Sequence, residues 1–141
     1  MDIFTSPGFL VTRLAHEMTE ALDRRLQAHN VTISQWKVLL FLWQQEGCSQ
    51  AEIQEQLGLE AATVTGLVQR MTRADLVLRR PDPVDKRVQR VFLTERGRAL
   101  ESVVGSLVED VNVLACKDFT ADEQAFFVRL LTRSLHNLTH E

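Results

Sequence analysis

The sequence predicts a mainly α fold with a small β-hairpin wing, and three observations carry that expectation. Apolar residues recur at helical spacing over most of the chain, and after Leu76 the period changes from 3.6 to 2. Over residues 49–94 a short helix, a glycine turn, a second helix and an arginine-rich hairpin follow one another without a gap. That order is the layout of a winged helix-turn-helix.

The second helix of this stretch, expected over 61–74, explains why the layout concerns DNA. Val64, Leu67, Val68 and Met71 stand at i, i+3, i+4 and i+7 and form one apolar stripe for a core. At 100° per residue Ala62, Gly66, Gln69 and Arg73 point the other way, flanked by Thr65 and Arg70. The residues offered to a major groove are therefore Ala61, Ala62, Thr63, Thr65, Gly66, Gln69, Arg70 and Arg73. They are small where a helix must approach base edges and polar or basic further on. A solvated surface helix would show the same face, so the helix alone leaves both readings open.

The elements before it are read in order. Ser6 can cap a first helix with Pro7 at its first position, and the helix should run to about residue 29. Leu10, Leu14, Met18, Leu22 and Leu26 recur every four residues, widened by Phe9, Val11 and Ala21, and such a face needs covering. Thr32 or Ser34 can cap a second helix to about residue 45, largely buried through Trp36, Leu39, Leu40, Leu42 and Trp43 and closed by Gly47. Cys48 then reads as a turn. Ser49 with Glu52 forms a capping box for the helix over 49–57, and Gly58 supplies the turn.

After it come two strands, 77–81 and 88–94, with Val91 and Leu93 on one face and Arg90 and Phe92 on the other. The turn between them carries Asp85, Lys86 and Arg87. Thr94 can cap a helix over 95–116 bearing Leu100, Val103, Val104, Leu107, Val108, Val111 and Leu114. Thr120 and Glu123 form a capping box for a last helix with Phe126, Phe127, Leu130, Leu131, Leu135 and Leu138. The first and the last two helices, all broadly apolar, are expected to gather into a bundle that pairs two copies. The expected organisation is residues 1–30 as an N-terminal dimerisation helix, 31–97 as the DNA-binding module and 98–141 as C-terminal dimerisation helices.

Composition fits one folded domain of 141 residues, 45% hydrophobic and 25% charged. No apolar run reaches the length of a membrane span, and the first residues lack the basic start of a signal peptide, so a cytoplasmic protein with no membrane partner is expected. The net charge of -3 is unevenly spread. Residues 66–98 hold nine basic and four acidic residues, which makes that stretch positive by five and the remainder negative by eight. A local basic footprint directly after a helix-turn-helix suits phosphate.

These residues resemble the multiple antibiotic resistance regulator (MarR) family of bacterial transcription factors. Leu57-Gly58-Leu59, then Thr63-Val64-Thr65, Leu67-Val68 and Arg70, is similar to the family's turn and recognition helix. Asp85, Arg87, Val91, Leu93-Thr94 and Gly97 match its D-x-R-x-x-x-V-x-L-T-x-x-G wing signature at each position. The resemblance implies a homodimeric regulator of promoter DNA, a repressor bound to a pseudo-palindromic operator, with recognition helices in successive major grooves and wings in adjacent minor grooves. Carried over by position, Arg87 is the minor-groove arginine and Asp85 the carboxylate that orients it; Asp85 also reads as a simple turn residue. Lys86 and Arg90 add charge to the wing, and Ser49 and Gln50, at a helix N-terminus, would take phosphates.

Three positions depart from the family pattern or bear on it. Gly66 stands where many relatives carry a larger polar or basic side chain. Asp75 replaces a common glycine, and Glu60 places a negative charge near the expected phosphate.

The family's regulators typically answer to small aromatic acids, other amphipathic ligands or thiol oxidation. A small aromatic or amphipathic effector would enter a crevice between the first, second and fifth helices, where Arg13, His16 and Trp36 offer a cationic edge and an aromatic wall. Core and solvated roles for these three remain open. Cys48 and Cys116 lack CxxC spacing and read as incidental thiols, with a redox-sensing regulator of the same fold as the alternative. A winged-helix interaction module without DNA binding is a second alternative. His136 and His140 have i, i+4 spacing but no third ligand, so no metal site is expected. No Ser/His/Asp set, paired carboxylates or phosphate-binding glycine loop appears, so neither an enzyme nor a cofactor is expected.

Overall fold

In the computed structural model, residues 2–141 are described; Met1, the first residue of the expected N-terminal unit, lies outside them. A 3₁₀ turn at Ile3–Thr5, not foreseen from the sequence, precedes α1 (Pro7–Gln27). Ser6 caps α1 by accepting the Phe9 N–H. α2 (Ile33–Gln44) starts at Thr32, whose capping box with Gln35 decides between the two candidate caps. β1 (Cys48–Ser49) leads into α3 (Gln50–Leu57), which Gly58 ends in the left-handed conformation at φ 63°. α4 (Ala61–Arg73), β2 (Val77–Pro81), β3 (Gln89–Leu93), α5 (Glu95–Ala115) and α6 (Ala121–Thr139) complete the chain.

The sheet has three antiparallel strands in the order β1-β3-β2. Val77 pairs with Leu93 and Pro81 with Gln89, while Cys48 pairs with Val91. Cys48 is thus a buried strand residue and not the turn residue expected. Its segment is too short to show a period of two, and its pairing partner lies 43 positions away. Val91 and Leu93 face inward and Arg90 and Phe92 outward, as their alternation predicts.

The core lies where the C-terminal part of α1, α2, α3, α4, the sheet and α5 meet, with α5 contributing Leu100, Val104 and Val111. Leu26, Val38, Leu39, Ile53, Val64, Val68, Met71, Leu76 and Val91 are among its fully enclosed side chains. The whole apolar stripe of α4 is buried there. Leu40, expected inside, is exposed, because it lies on the side of α2 opposite Val38, Leu39 and Leu42. α1 is covered over only part of its stripe: Ala21, Leu22 and Leu26 are buried, while Leu10 and Val11 are exposed. α6 buries no residue, and Phe126, Val128, Leu135 and Leu138 are at least half exposed.

Several long-range bonds set the helix-turn-helix against the rest. Trp43 donates its indole N–H to the Gly97 carbonyl at 2.9 Å. Arg96 donates to the carbonyls of Ala74 and His29, tying the end of α4 to the segment after α1. Asp75 takes the left-handed conformation at φ 59°, and its carbonyl accepts the Thr94 hydroxyl at 2.6 Å. Asp75 thus holds a backbone region that favours glycine, and aspartate is among the few other residues that visit it.

Candidate nucleic-acid interface

On α4 the side chains of Ala61, Ala62, Thr63, Gln69, Arg70 and Arg73 are exposed, and Thr65 and Gly66 half-buried. Thr65 turns inward, donating to the Ala61 carbonyl at 3.0 Å and receiving the Gln50 amide at 3.4 Å. A Cβ on Gly66 would meet only the Arg70 guanidinium, at 3.4 Å. Arg70 therefore folds back across the space that a larger residue at position 66 would fill.

Two expected phosphate ligands are differently placed from their assignment. Ser49 is buried, and its hydroxyl accepts the Glu52 N–H at 3.1 Å. Gln50 is half-buried against Thr65. Their side-chain polar groups bond within the protein, at Glu52 and Thr65. What remains open there is a cleft of about 230 Å³ lined by Ser49, Gln50, Ala51, Arg87, Val88 and Gln89, between the α3 N-terminus and the wing.

At the wing, Asp85 receives both arms of the Arg87 guanidinium, Nε at 3.0 Å and Nη2 at 3.1 Å, and also the Arg87 backbone N–H at 3.1 Å. The Arg87 side chain remains 91% exposed, so this fork aims the cation without hiding it. The Arg87 side chain, and then its backbone N–H, hold the Asp85 carboxyl below the usual carboxylate range, and Asp85 raises the Arg87 guanidinium in turn. Lys86, Arg79 and Arg80 are exposed, with Arg80 over the Phe92 ring at 5.2 Å.

Arg90, expected to add its charge to the DNA-binding wing, is engaged within the protein. Its Nε meets Asp82 at 2.6 Å and its Nη1 donates to the Gly47 carbonyl at 3.0 Å. Asp82, which was not singled out from the sequence, is the acceptor around which the wing loop is built. Its other oxygen takes the N–H groups of Val84 at 3.0 Å and Asp85 at 2.9 Å. The Asp85 N–H, then the Arg90 side chain, lower its carboxyl below the ordinary value. The Asp82-Pro83 pair was the available signal, because aspartate before proline favours turn initiation.

Between α1, α2 and α5, where an effector crevice was expected, lies a cavity of about 130 Å³ lined by Met18, Thr19, Leu22, Trp36, Val108, Val111 and Asn112. Trp36 is the sole expected residue in that lining. Arg13 and His16 are exposed elsewhere on α1, and Arg13 pairs with Glu17 at 3.3 Å. At 100° per residue Arg13 lies roughly opposite the face formed by Met18, Thr19 and Leu22, and His16 is turned well away from its centre. Cys48 is buried, and desolvation followed by the Glu52 charge pushes its thiol up to about 11. His136 and His140 stack with ring centroids 4.1 Å apart, and the described residues hold no group of three or more His, Cys, Asp or Glu arranged to hold a metal. No described helix is long and apolar enough to cross a membrane.

A helix-turn-helix that runs directly into a basic hairpin, within a mainly helical chain, defines a winged helix-turn-helix protein. The MarR family model matches residues 31–88. The chain is 35% identical to the HTH-type transcriptional regulator TtmR of Methylorubrum extorquens over 116 residues, covering 82% of this chain and 58% of that protein. It is 33% identical to the organic hydroperoxide resistance transcriptional regulator of Bacillus subtilis over 93 residues, 66% of this chain and 63% of that one. The chain thus spans less than two thirds of either relative. Among solved structures, a cysteine-to-serine mutant of MarR from E. coli complexed with operator DNA superposes with a TM-score of 0.78 at 28% identity, covering 96% of this chain and 99% of that one. The chain belongs to the MarR family.

Proposed function

We propose that this protein is a cytoplasmic, sequence-specific regulator of transcription that binds double-stranded promoter DNA as a homodimer and acts as a repressor. The observation that carries the proposal is the Asp85–Arg87 fork, which presents an exposed guanidinium in fixed orientation beside the open N-terminus of α3. A charge so held suits a minor groove, where arginine is drawn by the narrowed groove's potential. Ala61, Ala62, Thr63, Gln69, Arg70 and Arg73 meet the major groove, and the free N–H groups of α3 meet phosphate. In this reading Ser49, Gln50, Thr65 and Arg90 shape the surface from within, and Lys86 adds phosphate attraction. Gly66 leaves base contact in the middle of α4 to Arg70 and Gln69. The resemblance of the whole chain to a protein solved with operator DNA supports the same reading.

The dimer rests on the uncovered apolar side chains of α6 together with Ile3, Phe4, Leu10 and Val11 near the other end of the chain. Large apolar side chains left uncovered on these elements invite a partner surface. Residues 1–30 and 98–141 form the pairing unit, and 31–97 the DNA-binding unit. A small aromatic or amphipathic effector occupies the crevice at Trp36 and shifts the spacing of the two modules. Thiol sensing at Cys48 is disfavoured by its burial and raised thiol.

The test is a gel shift against promoter DNA across salt, for wild type and Arg87→Ala. Phosphate-driven binding weakens steeply as salt rises. The variant is expected to bind roughly tenfold or more weakly, the scale of losing a specific groove contact. Binding indifferent both to salt and to the substitution would overturn the reading.

A further inference from the structure

The wing tip is joined to the body of the protein by one continuous set of polar bonds. The Gly47 carbonyl, in the turn just before β1, accepts Arg90 Nη1. Arg90 Nε meets Asp82 Oδ1, and Asp82 Oδ2 receives the Val84 and Asp85 N–H groups. Asp85 in turn holds Arg87. Gly47 is itself fixed, since its N–H donates to the Val91 carbonyl at 3.0 Å. It also takes φ +85°, and a Cβ there would lie 3.0 Å from the Phe92 ring.

We infer that Asp82 is a positioning residue for DNA binding: it locks the loop that presents the Asp85–Arg87 fork and fixes the distance from Arg87 to the α3 N-terminus. Asp82 touches no DNA in this arrangement and acts through Asp85 and Arg87. The inference rests on the DNA-binding role proposed above.

The physical reason lies in what the loop lacks. Residues 82–88 turn through Pro83 and an almost fully exposed Val84, and none of them belongs to the buried core. The backbone bonds Asp82 N–H to Val88 C=O, at 2.8 Å, and Val88 N–H to Asp85 C=O, at 3.0 Å, close the loop's far side. Its near side is closed by the Asp82 carboxylate. Both Asp82 oxygens are engaged, and the Asp82 side chain is only 14% exposed, unlike the two open side chains of the Asp85–Arg87 pair. A loop ordered before binding loses less conformational freedom when DNA arrives, so its loss appears as weaker binding.

The experiment uses the full chain, wild type and three variants: Asp82→Ala, Arg87→Ala and the double substitution. The probe is one duplex recovered by selecting a random-sequence DNA pool on the wild-type protein, with binding read by fluorescence anisotropy. Amide hydrogen exchange is measured on the free proteins alongside. The result expected is that Asp82→Ala weakens binding several-fold and speeds exchange at Val84 and Asp85 while leaving Leu39 and Val68 unchanged. In the Arg87→Ala background it should weaken binding no further. Asp82→Asn, whose amide oxygen still accepts the two backbone N–H groups but whose other half cannot receive Arg90, should fall between.

Losses that multiply in the double variant, or wild-type binding by Asp82→Ala, would overturn the positioning role while leaving the Arg87 effect intact. Failure of Arg87→Ala itself to weaken binding would overturn both, and the exchange data would then show whether the loop is still ordered by Asp82. If Asp82→Ala unfolds, Asp82→Asn carries the same comparison.

Discussion

Gly97 sits so close to the Leu76 carbonyl that an added Cβ would lie 2.2 Å from that oxygen. This contact lets α5 begin where β2 leaves α4, and it joins both ends of the wing. Because the crowding atom is backbone, neither partner can turn aside. Gly97→Ala is expected to destabilise the protein by about 1–3 kcal/mol, the usual range for forced overpacking, as read by urea unfolding. A stability equal to wild type would show that the α5 start is free to move.

Cys48 is expected to resist modification. Its thiol is raised to about 11, so almost none is thiolate near neutral pH. In the native protein at pH 7.5, a maleimide should label Cys116, which is half-buried, well before Cys48. Rapid labelling of Cys48 would revive the redox reading.

The wing should lose its order in acid. Asp82 and Asp85 both have carboxyls held below the ordinary value of 3.8, so their ionised, bonded forms favour the ordered loop fully above that value. That contribution disappears as pH falls through the depressed values of the folded state. Following the Val84 and Arg87 amide resonances from pH 6 downward, the transition is expected below the ordinary carboxylate range, and a midpoint at or above it would contradict the bonding described.

Pairing through α6 has a direct test. Leu131→Asp and Leu135→Asp introduce charge on a face that is 38% and 65% exposed at these positions in the single chain. Each removes the order of 1.5–3 kcal/mol that burial of a leucine supplies. Light scattering should show a smaller species, with DNA affinity falling alongside. An unchanged mass would place the pairing surface elsewhere.

The Trp36 crevice should prefer neutral ligands. None of its lining residues carries a charge, and at about 130 Å³ it is near the size of cavities that accept a single aromatic ring. A carboxylate would be desolvated there without a partner. Phenol is expected to change Trp36 fluorescence at concentrations roughly tenfold lower than benzoate does. The reverse order would restore a cationic edge to the site.

The sequence by itself determined the helices, most of their caps and the alternation of the wing, because each of these depends on residues no more than a few positions apart; of the box expected at Ser49 and Glu52 only the Ser49 half forms. Thr120 with Glu123, Gly58, the stripe from Val64 to Met71 and the short reach from Asp85 to Arg87 are of this kind. Tertiary structure alone decided that Cys48 joins the sheet opposite Val91, that Ser49 and Gln50 turn inward, and that Arg90 bridges Asp82 to Gly47. It also drew Trp36 to the crevice and left Arg13 and His16 outside it. A cation or a cysteine shows no periodicity that names its partner. Which group it meets depends on how distant segments close upon one another, and that closure is set by the packing of the core as a whole.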